Sequence, residues 1–143
     1  MQRGDIVLVR FPFTDLSGSK RRPAVVLATY SPDVVVAFIS SVVPSVPESS
    51  DVVLQPSSIS FATTGLKVAS VIRLRKIATL EQALVTRLLG RLNQDLLTAV
   101  DEALLAGLGI DMNRYIRAEY RQLMELWHKQ GETAVISYIQ AKQ

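Results

Sequence analysis

Two neighbouring apolar runs decide the fold: residues 22–30, RPAVVLATY, and residues 33–43, DVVVAFISSVV. Both are rich in β-branched residues and are bounded by Pro, Ser or Asp, which is typical of β-strands. Similar runs occupy residues 5–11, 51–55 and 69–77. The first 80 residues or so therefore predict short strands with polar connections, the pattern of a small barrel or an open sandwich.

The later strand region carries two further features. In residues 69–77, ASVIRLRKI, a period of two places Arg73 and Arg75 on the same face of the strand. Residues 55–66 predict a turn of helix or a loop. Residues 79–93, TLEQALVTRLLGRLN, are ambiguous and are interpreted as a helical turn followed by a last short strand.

The C-terminal part changes to a helical period. Asn93 can cap a helix that Gly107 or Gly109 ends. Beyond it, a stripe at steps of four, three and four residues and a stop at Gly131 predict a helical hairpin; the stripe is Ile116, Tyr120, Leu123 and Trp127. We expect a domain over 1–111, a helical extension over 112–143, and burial of Trp127 against the barrel or a dimer partner.

Composition excludes several classes of active site. The 143 residues contain no cysteine and only one histidine, His128, near the end of a predicted tail helix. Thiolate zinc sites, multi-histidine metal clusters and Ser-His-Asp triads on the barrel are therefore excluded. No apolar run is long enough to span a membrane, and we expect a soluble, intracellular protein. Residues 1–92 carry 11 Lys/Arg against 6 Asp/Glu, which suits a polyanionic partner or, equally, a well-solvated surface.

Cationic and hydroxyl side chains are concentrated at two strand ends. Lys20, Arg21 and Arg22 directly precede Pro23, and Ser40 and Ser41 end another strand. If these ends are neighbours, an arginine and a hydroxyl converge on one surface and can hold a phosphodiester. RNA supplies its own 2′-OH nucleophile, so such a site needs no metal. Taken alone, the cationic triplet also fits an ordinary exposed turn.

Four blocks together resemble the MazF/PemK family of toxins from bacterial toxin-antitoxin pairs. They are RGDIVLVRFPFTDLSGSKRRPAVVLA, VVVAFISSVVP, TGLKVASVIRLRKIATL and LLTAVDEALLAGLGI, in the family's order over residues 3–111. The resemblance implies a mainly β fold, an SH3-like small barrel with a C-terminal helix, here followed by the helical extension. It also implies a homodimer that acts as a metal-independent, sequence-selective endoribonuclease on single-stranded RNA.

The resemblance assigns roles to individual residues. Arg22 matches the catalytic arginine, and Ser40 falls where the family has a catalytic threonine. Serine keeps the hydroxyl group of threonine but lacks the methyl group, which restricts the rotamers of threonine. Candidates for holding RNA are Ser19, Lys20, Arg21, Ser41, Arg73 and Arg75, with Lys20 and Arg21 expected on a loop. No metal and no cofactor are expected.

The implied function is that of a cytoplasmic toxin that leaves 2′,3′-cyclic phosphate and 5′-OH ends. Its partners would be single-stranded RNA, a cognate antitoxin protein, a second copy of the chain and, only through the antitoxin, operator DNA. Two alternatives remain open: a non-catalytic toxin that binds a protein target, as gyrase-poisoning toxins of similar fold do, and an inactive relative that acts as a co-repressor with its antitoxin.

Overall fold

The structure is a computed structural model that describes residues 1–10 and 20–142. The chain forms two compact units, Met1–Gly109 and Ile110–Gln143, and each is described by itself below. The boundary at residues 111–112 that the sequence suggests remains a prediction.

The first unit is an antiparallel sheet followed by helix α1, Gln94–Gly107. Its strands are β1 Asp5–Arg10, β2 Arg21–Tyr30, β3 Asp33–Ser40, β4 Asp51–Leu54, β5 Ser70–Glu81 and β6 Val85–Arg91. Within the described residues the six strands follow the order β4-β5-β3-β2-β1-β6. The edge strands β4 and β6 do not pair, so the predicted barrel is an open sheet. The predicted mainly β fold is confirmed.

Both faces of the sheet are apolar, and each carries a core cluster. On the face that packs against α1, Ile72 and Val25 lie against Val100 and Ala103 of the helix. We call this the α1 face. The other face, called the far face, carries a cluster built from alternate residues of β1, β2 and β3 together with Leu80 of β5, which lies opposite Val34. Burial on both faces removes apolar surface from water on either side of the sheet, which is the main stabilisation of this unit.

Helix α1 spans Gln94–Gly107. The Asn93 side chain accepts a hydrogen bond from the Leu96 backbone N–H at 2.9 Å, which satisfies a free donor of the first turn. The amide of Asn93 also donates to the Ser60 hydroxyl at 2.7 Å. The predicted cap and the helix end at Gly107 are both confirmed.

Strand β5 is longer and less regular than its alternation predicts. It continues to Glu81, and a short 3₁₀ turn over Gln82–Leu84 leads into β6, as residues 79–93 suggested. Opposite β3 its register jumps: Ala37 faces Ile77, but Phe38 faces Arg73. This irregularity lies between Arg73 and Ile77, and irregularities of this kind bend a strand. Beyond it, β5 stays paired with β3 as far as Glu81, which lies opposite Asp33.

A second 3₁₀ turn, Ile59–Thr64, packs against β6 through two glycines. Gly65 ends the turn with a φ of 72°, a conformation that side chains with a Cβ rarely adopt. A Cβ at Gly65 would overlap the Leu89 carbonyl oxygen, and a Cβ at Gly90 would overlap the backbone of Thr63 and Thr64. This contact fixes where the chain runs directly after Gly65.

The second unit is a helical hairpin, as the sequence predicts. Helix α2 spans Asn113–Gln130, and helix α3 spans Glu132–Ala141. Gly131 separates them with a φ of 80°. Neither helix contains a buried residue, and Trp127 is 49% exposed, so the predicted burial of Trp127 is not reached within the single chain. No helix among the described residues is long and apolar enough to cross a membrane.

Candidate functional site

Arg22 lies in a strand ladder. It is the second residue of β2, and it faces Val9 of β1 in the antiparallel register. Directly opposed residues share a face, so the Arg22 side chain lies on the far face, as Val9 and Ala24 do. The strand begins two residues before Pro23, earlier than the sequence suggested. The ladder therefore fixes the backbone of Arg22, while its side chain is exposed.

Ser40 is the last residue of β3 and lies beside Arg22. The β2–β3 pairing ends with Ala24 opposite Phe38, and Arg22 and Ser40 are each two residues further along, so regular antiparallel geometry brings their positions opposite each other. Side chains opposed in this way have Cβ atoms about 4.5–5.5 Å apart. The sequence-based expectation that these strand ends are neighbours is met by this sheet order.

The hydroxyl group of Ser40 is oriented by the backbone. Its Oγ accepts a hydrogen bond from the Val42 N–H at 3.1 Å, a local turn that serine commonly forms. A hydroxyl that accepts one bond still has its own proton to donate. This bond restricts the rotamer of Ser40, as a methyl group restricts the rotamer of threonine.

Arg22, Ser40 and Ser41 line one cavity of about 370 Å³ at this end of the sheet. Another part of the wall comes from the segment that follows Gly65. The full lining is Arg22, Pro23, Ile39, Ser40, Ser41, Val42, Leu66, Lys67, Val68 and Ser70. Of the site residues named from the sequence, these three are the ones that the described residues bring together in the cavity.

Lys67 is a cavity residue that the sequence-based reasoning missed. It is exposed and lies in the loop between Gly65 and β5. A loop residue has no periodicity that reveals where it points. The sequence offered one signal, the glycine two residues earlier, because glycine is typical of positions with positive φ or with a close backbone approach. Lys67 adds a second cation to the cavity that holds Arg22.

Arg73 and Arg75 turn toward the connection between β3 and β4. Arg73 donates from Nη2 to the Val42 carbonyl at 3.4 Å, whereas Arg75 pairs with Glu48. Val42 is thus held on both sides, by Ser40 at its N–H and by Arg73 at its carbonyl. The geometry suits Arg73 to supporting the Ser40 turn, and its predicted contact with RNA remains a prediction.

The other candidates from the cationic triplet separate. Lys20 precedes β2 and is exposed, while Arg21 belongs to the strand and faces Arg10 of β1. The expectation that Arg21 lies on a loop is therefore wrong, because pairing with β1 extends the strand. Alternation places Arg21 on the opposite face from Arg22. Ser19 lies outside the described residues.

Within the described part of the chain, no carboxylate pairs with the cations around the cavity. Among residues 1–10 and 20–142, Arg22 and Lys67 make none of the ion pairs found, and neither do Arg10 and Arg21. Like charges opposed on neighbouring strands, as in Arg10 and Arg21, are unfavourable without a counter-charge. This end of the sheet is therefore suited to binding an anion that spans more than one cation.

Comparison with protein families identifies the chain. Residues 2–108 match the model of the PemK-like, MazF-like toxins of type II toxin-antitoxin systems. The chain belongs to this toxin family. The match covers the sheet, its cavity and α1, and most of the segment from which the resemblance was drawn. A comparison with curated proteins found no match.

Solved toxin structures share the fold of this family member. The Mycobacterium tuberculosis toxin MazF-mt6 is 21% identical, with a TM-score of 0.59 over 75% of this chain and 98% of that one. MazE-MazF from Deinococcus radiodurans gives 21% and 0.60 over 78% and 97%. A mycobacterial endoribonuclease in complex with its cognate antitoxin gives 18% and 0.59 over 78% and 97%.

Proposed function

We propose that this toxin is a metal-independent, sequence-selective endoribonuclease that cleaves single-stranded RNA and leaves 2′,3′-cyclic phosphate and 5′-OH ends. The observation that carries the proposal is the convergence of Arg22 and Ser40 on one face and in one cavity. Similarity to a structure described as an endoribonuclease supports it.

The proposed chemistry begins with the 2′-OH of the substrate, which attacks the adjacent phosphorus. Charge then accumulates on the phosphate oxygens, and a guanidinium can hold two of them at once. Arg22 supplies that group, and its ladder position means that little reorganisation is needed as the charge develops. In the same step the 2′-OH proton passes to water, the bond to the 5′-oxygen breaks, and that oxygen takes up a proton. Arg22 is the proposed donor and regains a proton from water.

Ser40 is proposed to orient the phosphate or the 2′-OH. Its Oγ accepts from the Val42 N–H, and its own proton remains available for donation to a substrate oxygen. Ser41 and Lys67 would contact flanking parts of the RNA, and Lys20 and Arg21 would hold phosphates beyond the cavity. A guanidinium has no acceptor site for a proton, so neither Arg22 nor Arg21 is proposed as the general base.

The proposed partners follow from the same function. A cognate antitoxin would restrain the toxin, as in the mycobacterial complex, and would connect it to operator DNA. The toxin would act as a homodimer in the cytoplasm, where its RNA substrate is found. The described residues offer no group of three or more His, Asp or Glu side chains placed for a metal, and the metal requirement is left to experiment.

The test is cleavage of a defined RNA by the purified protein in EDTA, with analysis of the new RNA ends. We expect cleavage with cyclic phosphate ends, and a rate about 10²–10³ lower for Arg22→Ala, the usual loss when one charge-stabilising donor is removed. Arg87→Ala, an exposed arginine on β6, is the matched control. Equal rates for the two variants, or cleavage only with added metal, would contradict the proposal.

A further inference from the structure

The α2–α3 hairpin has no core of its own. Neither helix contains a buried residue, and segments shorter than about 40 residues seldom fold without extra support. Large apolar side chains remain in solvent along both helices, with Ile116 57%, Tyr120 60% and Trp127 49% exposed. Any partner that covers these side chains therefore stabilises this unit.

The exposed apolar residues form one face. Ile116, Tyr120, Leu123 and Trp127 recur at steps of four, three and four, which is the spacing of a coiled-coil seam. Helix α3 contributes Ile139, and Ile136 one turn before it. An open groove of about 380 Å³ between the helices joins the two sets; it is lined by Ile116, Glu119, Tyr120, Leu123, Tyr138, Ile139 and Lys142. We call this surface the hairpin face.

The charges around the hairpin face indicate the chemistry of its occupant. The seam positions hold no charged residue. At the rim, Glu119 and Lys142 pair with each other at 3.7 Å, so the groove offers no excess of either sign. A nucleic acid or an acidic peptide would need unpaired cations. The hairpin face instead suits an apolar partner with little net charge.

We propose that the hairpin face binds the hairpin face of a second copy of this chain, so that two hairpins form a four-helix bundle. Such an interface is self-complementary about a two-fold axis. Exposed side chains of this size leave on the order of 500 Å² of apolar surface per hairpin. That matches the apolar share, about 65% in homodimers, of a stable interface of about 800 Å² per partner. The pairing does not depend on the ribonuclease proposal.

Trp127 provides a direct readout because it is the only tryptophan of the chain. Its emission reports on the hairpin alone, whatever contacts the sheet unit makes. As full-length protein is concentrated, the emission of Trp127 is expected to move to shorter wavelength and to resist quenching by acrylamide. Both changes should follow the self-association that sedimentation measures on the same samples.

Two tyrosines of similar exposure form a matched pair of variants. Tyr120 lies on the hairpin face, whereas Tyr115, 62% exposed, lies about 140° away around the same helix. Tyr120→Glu is expected to hold the emission at its position in water at every concentration, and Tyr115→Glu to behave as the unaltered protein. Tyr120→Leu, which keeps an apolar seam, should retain the shift.

A variant on the second helix guards against a simple loss of folding. Ile139→Glu should abolish the shift as Tyr120→Glu does, while far-UV circular dichroism shows helix retained at low concentration. The proposal is overturned if unaltered protein shows water-like emission at all concentrations. It is also overturned if emission stays shifted in Tyr120→Glu, or if the two tyrosine variants behave alike, since another surface or another occupant would then cover Trp127.

Discussion

In the Met1–Gly109 unit, strands and helix α1 bury apolar side chains on both faces of the sheet, whereas the two helices of the Ile110–Gln143 unit bury none. Amphipathic spacing is clear in both. Spacing alone therefore shows which side chains need cover, but not which surface provides it. In the sheet unit the chain supplies the cover itself, and in the hairpin we assign it to a second copy.

The largest expected effect is on the free energy of unfolding of the sheet unit, compared for one isoleucine in each unit. Ile72 is fully buried on the α1 face, so Ile72→Ala should lower the free energy of unfolding of the sheet unit by about 4 kcal/mol through lost burial and a cavity. The same change at half-exposed Ile116 should alter it by less than about 0.5 kcal/mol. Urea unfolding followed by the NMR amide signals of β3 measures both. Comparable losses would mean that the two units are not energetically distinct.

A smaller effect is expected from two glycines with nearly the same φ. Gly65 and Gly109 have φ of 72° and 71°, but only Gly65 has backbone within reach of a Cβ. Gly109→Ala should cost about 1 kcal/mol of strain. Gly65→Ala should cost about 2–3 kcal/mol, because strain is joined by overlap with β6, and RNA cleavage should fall as the Lys67 wall moves.

The measurement for the two glycines is thermal unfolding of the full chain, with cleavage assayed on the same samples. A larger loss for Gly109→Ala than for Gly65→Ala would contradict the role given to the packed turn. An unchanged cleavage rate in Gly65→Ala would show that the position of the cavity wall does not affect activity.

The smallest effect concerns two exposed lysines. Lys67 lies in the cavity and Lys129 on α2. Lys67→Ala should weaken RNA binding and reduce the slope of log affinity against log salt by about 1, the signature of one lost phosphate contact. Lys129→Ala should leave the slope unchanged. Fluorescence anisotropy of a labelled RNA at several salt concentrations gives both slopes. Identical slopes for the two variants would show that Lys67 does not contact a phosphate of the RNA.

Much of the fold could be predicted because its signals are local. Alternation and β-branched runs indicated the strands, and Asn93 with its following leucines indicated α1. The jump in register after Arg73 could not be predicted, because it depends on how β3 pairs. The same holds for Arg21, which lies in a strand only because β1 faces it.

The candidate site divides in a similar way. Arg22 and Ser40 were predicted from strand ends and from family resemblance. Lys67 was missed because its position depends on packing between Gly65 and β6, 24 residues later in the chain. The hydrogen bond from the Val42 N–H to Ser40 is local, and serine two residues before a backbone donor is a pattern that could have predicted it.

The central claim is that Arg22 and Ser40 act on the same phosphate, and a double-mutant cycle tests it most directly. Single-turnover cleavage rates in EDTA would be measured for the unaltered protein, Arg22→Ala, Ser40→Ala and the double variant. We predict that the double variant loses less than the product of the two single losses, with a coupling of at least about 1 kcal/mol, as expected for groups that share a partner. Losses that multiply fully, or single variants that cleave at the unaltered rate, would contradict the account.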